Sequence, residues 1–230
     1  MANNFYNAVR RNVSADSTLP TQVYAAPNSK KSILIELDVA NKSSSGVTVT
    51  VCMCDEIQNQ TYDTSGTTTN ANASTVSSVA TNTTGTITTA AAHNLIVNDR
   101  VVYTGTAASF TNASLPPSGD AALSVDAGSG SRMYYVQAIP SASTFKIAES
   151  ESASAALTFD NAGSTIKMSK IHLADVVRDA PVPVGGSLKV ISGQKLVIES
   201  QHANVNDKIF VSASAATSVD CIASVLEDVS

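Results

Sequence analysis

The side chains best suited to chemistry in this sequence are His93, His172 and His202, the cysteines Cys52, Cys54 and Cys221, and the carboxylates Glu149, Glu151, Asp160, Asp175 and Asp179. Acyl transfer would need serine, histidine and an acid in fixed geometry, usually with the serine on a constrained turn. No Gly-x-Ser-x-Gly is present, and each histidine stands alone. Glycoside hydrolysis would need two carboxylates flanking one bond, which distance along the chain does not prevent. A sugar cleft also calls for aromatic platforms, and there is no tryptophan. Asp120 and Asp126 could offer oxygens to Ca²⁺, but six or more are required and their spacing matches no calcium loop. Gly185-Gly186 lacks the rest of a phosphate loop and reads as a turn. Cys52 and Cys54 have only Cys221 and the dispersed histidines as further metal ligands, without zinc spacing. Two apart on a strand pattern, they share one face and read as core thiols. The expectation is a non-enzymatic chain with no catalytic residue, no cofactor and no metal ligand.

Composition narrows the partners. Aromatic residues are only 5% of the chain, so a core must be assembled from small β-branched side chains that each bury little area. The net charge is −5, and the nearest approaches to a basic patch are the pairs Arg10-Arg11 and Lys30-Lys31. Phosphate binding needs clustered Lys and Arg, so nucleic acid is not expected as a partner, and the pairs read as solvated strand flanks. The segment MANNFYNAVRRNVS has neither a signal-peptide apolar run nor a transit pattern, and no run reaches the length of a membrane span. An odd cysteine number without framework spacing reads as reduced thiols. Synthesis and assembly in a cytoplasm, without a membrane partner, are expected, and sequons such as Asn72-Ala73-Ser74 then carry no meaning.

The elements that would hold these residues are strands. Ile33, Ile35, Leu37 and Val39 alternate with Ser32, Leu34, Glu36 and Asp38, Leu34 breaking the polar face. Val47, Val49, Val51 and Met53 alternate in the same way after the turn Asn41–Gly46, and the two runs read as a β-hairpin. Ahead of them, Phe5, Tyr6, Val9 and Val13 have a spacing that fits a short amphipathic helix or an arm, followed by a short strand at Val23-Tyr24. Residues 57–80 are rich in Ser, Thr and Asn and read as a linker. A second set of strands is expected at Thr86–Thr89, Arg100–Gly105, Tyr134–Ile139, Thr144–Ala148 and Ala156–Asp160, with a long irregular loop over Leu115–Gly130. The first pattern then resumes at His172–Val177, Leu188–Ile191, Lys195–Ser200, Lys208–Ala213 and Ser218–Leu226, the last apolar on both sides and hence central. Pro181 and Pro183 make Val182–Val184 an edge or a lead-in to a strand. The fold class is therefore all-β. An antiparallel β-sandwich of residues 1–56 and 168–230 is interrupted by a small β-barrel or sandwich module at 81–167.

Within that module Ala92–Tyr103 (AHNLIVNDRVVY), Tyr134–Ala138 (YYVQA) and Ser143–Ala148 (STFKIA) resemble the small β module first named for the first catalytic cysteine half-domain of ubiquitin-activating enzymes, a kind also carried by phage structural proteins. Asn94 and Asn98 stand where that pattern has glycines, which asparagine can do because it tolerates left-handed backbone. The resemblance implies a fold, and a turn role for His93, but no reaction, since this segment has no cysteine.

The outer segments Asn4-Phe5-Tyr6, Val23–Pro27, Lys31–Ile35, Val39–Asn41, Ala180–Leu188 and Val219–Glu227 resemble a family of small structural proteins of tailed phages, especially those of marine bacteria and cyanobacteria. That resemblance implies a virion component that decorates or cements the capsid or forms part of the neck or tail surface. Its partners would be copies of itself and other virion proteins, reached through strand edges and the contact residues Phe5, Tyr6, Val9 and Arg10. Removing Met1–Ser14 would then leave a folded monomer that fails to enter particles. The alternative is a carbohydrate-binding adhesion module with Tyr103, Phe110 and Tyr134 facing a glycan, although Tyr134 and Tyr135 must point to opposite faces.

Overall fold

A computed structural model describes residues 4–17, 19–63, 76–80, 84–104, 109–110, 133–161, 167–202 and 205–228. Among them every regular element is a strand. The first four are β1 (Asn4–Arg10), β2 (Thr21–Ala25), β3 (Lys31–Asn41) and β4 (Val47–Asp63). There follow β5 (Val76–Val79), β6 (Ile87–Thr89), β7 (Arg100–Thr104), β8 (Ser109–Phe110), β9 (Met133–Ser141), β10 (Thr144–Ala148) and β11 (Phe159–Asn161). The chain closes with β12 (Lys167–Val182), β13 (Ser187–His202), β14 (Val205–Asn206), β15 (Lys208–Ala213) and β16 (Val219–Glu227). Two compact units emerge, Met1–Ile57 with Leu173–Ser230, and Gln58–His172. Within the segment 57–80 that reads as a linker, β4 continues to Asp63 and β5 occupies Val76–Val79, while 64–75 lie outside the described residues, as do 115–130 of the expected long loop.

The first unit is an antiparallel β-sandwich. One sheet has the order β1-β16-β3-β13-β14 and the other contains β2-β15-β4-β12. Val39, Leu37, Val219, Cys221, Ala223 and Val225 from the first sheet meet Val47, Val49, Val51, Ile209 and Val211 from the second in one core. β16 is central, between β1 and β3. Small β-branched side chains supply most of this core, as a chain poor in aromatics requires.

Three expectations are corrected here. The runs around Asn41–Gly46 do not form a hairpin: β3 has β16 and β13 as its neighbours, and β4 pairs with β15 in the opposite sheet. The polar loop therefore crosses from one layer to the other. Second, the apolar face of β3 is not a single alternation. Ser224 pairs with Glu36 but Val225 pairs with Leu34, so Ile35 is an extra residue bulged out of the ladder. A bulge reverses the phase of a period of two, which buries Ser32 and Leu34 on one side of it and Leu37 and Val39 on the other, leaving Ile33 and Ile35 half-buried. Third, of the helix or arm that the spacing of Phe5, Tyr6, Val9 and Val13 allowed, the helix does not form: Asn4–Arg10 is a strand, because it completes the ladder of β16 from Asn4↔Glu227 to Arg10↔Cys221. Since Ala8 and Val13 are core residues and the Val13 amide donates to the Val219 carbonyl (2.9 Å), removing Met1–Ser14 opens the core and would not leave an intact monomer.

Two side chains hold the sandwich across its layers. The Tyr24 hydroxyl on β2 donates to Glu227 Oε1 (2.8 Å) and accepts from Ser32 Oγ (2.8 Å), and burial pushes its pKa well above the ordinary phenol range. Asn41 is buried at the end of β3. Its Nδ2 donates to the carbonyls of Ser45 (2.8 Å), Val182 (3.1 Å) and Pro183 (3.1 Å), and its Oδ1 accepts from Ser43 N (2.9 Å). Its own amide donates to Gly186 O (2.9 Å), so the crossing loop and the Pro183–Gly186 turn hang on one residue. Asn41→Ala is expected to cost about 2 kcal/mol, because it leaves buried backbone groups unpaired. Urea unfolding checks it, and a midpoint equal to that of the parent chain would refute the clasp role.

β13 joins the two runs read as separate strands. Its ladder with β3 shifts between Ser192 and Leu196, around Gly193, whose φ is +75°. Such a backbone suits glycine, and the interruption in the sequence pattern is a bulged stretch inside one strand.

The second unit pairs the first residues of β12 with β7, and continues β7-β9-β10-β6-β5, with β11 and β8 as a separate pair. Ile87, Leu95, Val101, Tyr134, Val136, Phe145, Ile147, Leu157 and Phe159 form its core. Asn94 and Asn98 adopt φ values of 53° and 73°, the left-handed conformations for which glycine is otherwise used. His93 is buried between them and the sheet. Its Nδ1 accepts from Leu95 N (3.0 Å), so Nε2 carries the proton, directed at the carbonyls of Ser141 and Thr144 (both 3.3 Å). The ring meets Phe145 edge-on at 5.2 Å. Every ring nitrogen is engaged in holding a turn.

Candidate functional site

The residues expected at a subunit contact lie on β1, at the open end of the first sheet. Phe5 is 80% exposed and Val9 47%, and both share the outer face of the sheet with Asn7. Tyr6 points the other way, its ring 6.2 Å from Tyr24. Arg10 is half-buried, with Nε donating to Gln22 O (2.8 Å), and thus fastens β1 to β2. Phe5 and Val9 are therefore presented on the outer face, Tyr6 is equally exposed (47%) on the opposite one, and Arg10 anchors the strand.

Backbone hydrogen bonds determine which groups of β1 remain open. On β16, the Val219 carbonyl accepts from Val13 N on the β1 side, and the Ser218 carbonyl accepts from Lys42 N on the β3 side (both 2.9 Å). Successive residues of a strand direct their amides to opposite sides, so odd-numbered residues of β16 face β1. Cys221, Ala223 and Val225 are in register with Arg10, Ala8 and Tyr6. The N–H and C=O of Phe5, Asn7 and Val9 consequently point away from the sheet. Among the described residues no strand pairs with that edge. The Val9 carbonyl accepts the exposed Arg10 Nη1 at 3.2 Å. From Asn4 to Val9 the edge has no charge, proline or bulge, the devices that usually keep strand edges apart.

The outer face beside β1 extends the apolar surface. Leu226 is opposite Phe5 and Ile222 opposite Val9, and Ile222 is 49% exposed. These two were not recognised from sequence as site residues. Their signal was that β16 is apolar on both sides, which marks a strand with one face in the core and the other needing a cover.

Asn12, Lys42 and Asp220 form a polar cluster where the chain leaves β1. Lys42 Nζ donates to Asn12 Oδ1 (2.6 Å) and Asp220 Oδ1 (2.7 Å), and Asp220 also accepts from Asn12 N (3.0 Å). A lysine beside an amide and an acid has the ingredients of an amide cross-link, which needs a neutral amine and a protonated acid. Here the Lys42 hydrogen bond, then that from the Asn12 amide, hold the Asp220 carboxyl below its usual value, which favours the ionised pair. The cluster is a salt bridge. A folded value below the unfolded one means stabilisation that is present above the unfolded value, about 3.9, and lost as pH falls through the folded one. Asp220→Asn should cost about 0.5 kcal/mol at neutral pH, the pair being partly exposed, and less near pH 2. Equal destabilisation at both pH values would refute the ionic role.

The thiols are separated by environment. Cys54 and Cys221 are buried, and desolvation pushes Cys221 up to about 12. Cys52 is half-buried, with its thiol 3.5 Å from Asp175 Oδ1. Among the described residues no group of three His, Cys, Asp or Glu is placed to hold a metal ion. Of the basic pairs, Lys30 meets Asp228 (2.8 Å) and Lys31 meets Glu199 (2.9 Å).

The glycan-facing residues fare differently. Tyr134 is 1% exposed and belongs to the core of the second unit, because the alternation of β9 turns it inward with Val136; its assignment as ligand-facing is corrected. Tyr135, on the other face, lies under the Arg100 guanidinium at 3.8 Å. The side chains of Tyr103 and Phe110 lie outside the described residues. No known protein family, curated protein or solved structure matches the chain.

Proposed function

We propose that this chain is a non-enzymatic structural protein of a phage virion, fixed to the capsid, neck or tail surface through contacts between subunits. The observation that carries the reading is β1: an edge strand uncharged from Asn4 to Val9, with open backbone groups, bearing Phe5 at 80% exposure and flanked by the exposed Ile222. Apolar residues gathered at an undefended strand edge are what repeated docking into an assembly uses, since each copy buries a modest area and symmetry multiplies it. The similarity of the outer segments to tailed-phage structural proteins gives the reading its setting. The adhesion alternative loses Tyr134 to the core, and the Tyr135 ring on the other face is covered by Arg100.

The test is made on particles. Purified virions are analysed by mass spectrometry for peptides of the full chain, and the Phe5→Asp variant is followed beside the parent. The expected result is presence of the chain in particles and about a tenfold loss of incorporation for the variant, the size of one lost apolar anchor. Particles that lack the chain would overturn the proposal.

A further inference from the structure

The two sides of the buried His93 ring respond to acid in opposite senses. Nδ1 accepts the Leu95 amide (3.0 Å), which requires a bare lone pair, while Nε2–H is directed at the carbonyls of Ser141 and Thr144 (both 3.3 Å). We propose that His93 is a proton-operated catch on the turn Asn94–Asn98: the neutral ring holds Leu95 in the core, and the protonated ring releases it. The catch concerns the second unit alone and stands apart from the virion reading.

A proton on Nδ1 turns an acceptor into a donor. Two N–H groups then face each other at a residue that is 2% exposed, and a buried donor without its acceptor is costly. The ring stays in place, because its added charge strengthens the bonds from Nε2 to the two carbonyls, and its edge-on contact with Phe145 (5.2 Å) is kept. The amide is the side that yields. Asn94, just ahead of Leu95, has a φ of 53°, a left-handed conformation that costs an L residue free energy. Returning Asn94 to ordinary backbone relieves that cost as it withdraws the Leu95 amide.

The remaining bonds confine the opening. His93 N donates to Ala142 O (3.0 Å), Asn98 N to Val136 O (2.8 Å) and Val136 N to Asp99 O (2.8 Å), and none of these involves the ring. Asp99 Oδ2 accepts from Ile96 N (2.9 Å) and Lys170 Nζ (2.7 Å). Asn94 and Leu95 therefore move between two fixed points. Leu95 is 4% exposed and shares a core with Phe145, whereas Ile96 and Val97 are already 66% and 50% exposed. Acid thus extends an exposed apolar pair into a run of three, flanked by the uncharged Asn94 and Asn98.

Among the described elements around the ring, the charged groups are engaged or turned away. Asp99, on the same turn, is held by Lys170 and Ile96 N. Lys146 follows the buried Phe145 on β10 and by alternation occupies the other face. β6 and β9 carry no carboxylate or cation, only the phenols Tyr134 and Tyr135.

Amide hydrogen exchange of the full chain, expressed relative to the unstructured peptide at each pH, tests the catch between about pH 7.5 and pH 5, where histidine gains its charge. The protection of Leu95 should fall about tenfold, the size of one lost buried hydrogen bond, while that of Asn98 and Val136 is unchanged. His93→Asn is the control. Its side-chain oxygen accepts an amide two residues on, as in an Asx turn, and takes up no proton in this range, so Leu95 should be equally protected at both pH values. Protection of Leu95 that is the same at both ends of the range in the parent chain overturns the proposal. So does a loss shared with Asn98 and Val136, which is unfolding of the unit, or a fall as large in His93→Asn as in the parent. The comparison of Leu95 with Asn98 inside the parent chain decides the matter even where the variant does not fold.

Discussion

Gly85→Ala should disrupt the second unit, at a cost above about 3 kcal/mol. A Cβ at this position would lie 1.8 Å from the Leu157 carbonyl oxygen and 2.9 Å from its carbon, and the φ of +57° already disfavours any L side chain. The obstructing atoms are backbone, so no rotamer change relieves the overlap. Leu157 cannot retreat either, since its amide donates to Ile147 O at 2.7 Å and its side chain is in the core with Phe159. Gly185→Ala is the control. Its φ is +64° but nothing lies within 4 Å of a new Cβ, so it should cost only the conformational strain, about 1 kcal/mol. Hydrogen exchange reads the difference: Gly85→Ala should release the amides of Leu157 and Ile147 while those of β3 and β16 stay slow. Retained protection at Leu157 would show that the contact can relax.

The second large effect lies in β3. Leu37→Ala and Leu34→Ala should each cost about 3–4 kcal/mol, because both side chains are fully buried. Ile35→Ala, at the bulged residue, should cost under about 1 kcal/mol. Denaturant unfolding of the three variants separates a bulged strand from a regular one, in which Ile35 and Leu37 would share the core face and Leu34 would be outside. Equal losses at Ile35 and Leu37 would refute the bulge.

That contrast explains what could be read in advance. Alternation identifies a strand well, and β16 follows it residue for residue, with Val219, Cys221, Ala223 and Val225 inward. It cannot register an extra residue that inverts its phase, and so Ile33 and Ile35 are expected in a core that takes Ser32 and Leu34 instead. Nor does it say which strand is whose neighbour. Two runs around a short polar loop fit a hairpin or a crossing between layers equally well, and the deciding contacts of Asn41 come from Val182 and Pro183, far along the chain. At the proposed contact site, Phe5 and Val9 were recognisable as apolar residues on a short terminal segment. Ile222 and Leu226 were not, because their exposure depends on the layer that β16 joins.

The ladder between β1 and β16 also sets a clock. A ribosome adds about 5–20 residues per second, so the two strands are separated by tens of seconds of translation. Until Val219–Glu227 emerges, Asn4–Arg10 has no template on which to straighten, and its side chains have no common face. A nascent polypeptide on a polysome therefore cannot yet present this ordered edge. An ordered β1 is thus a certificate that β16 has been made and inserted.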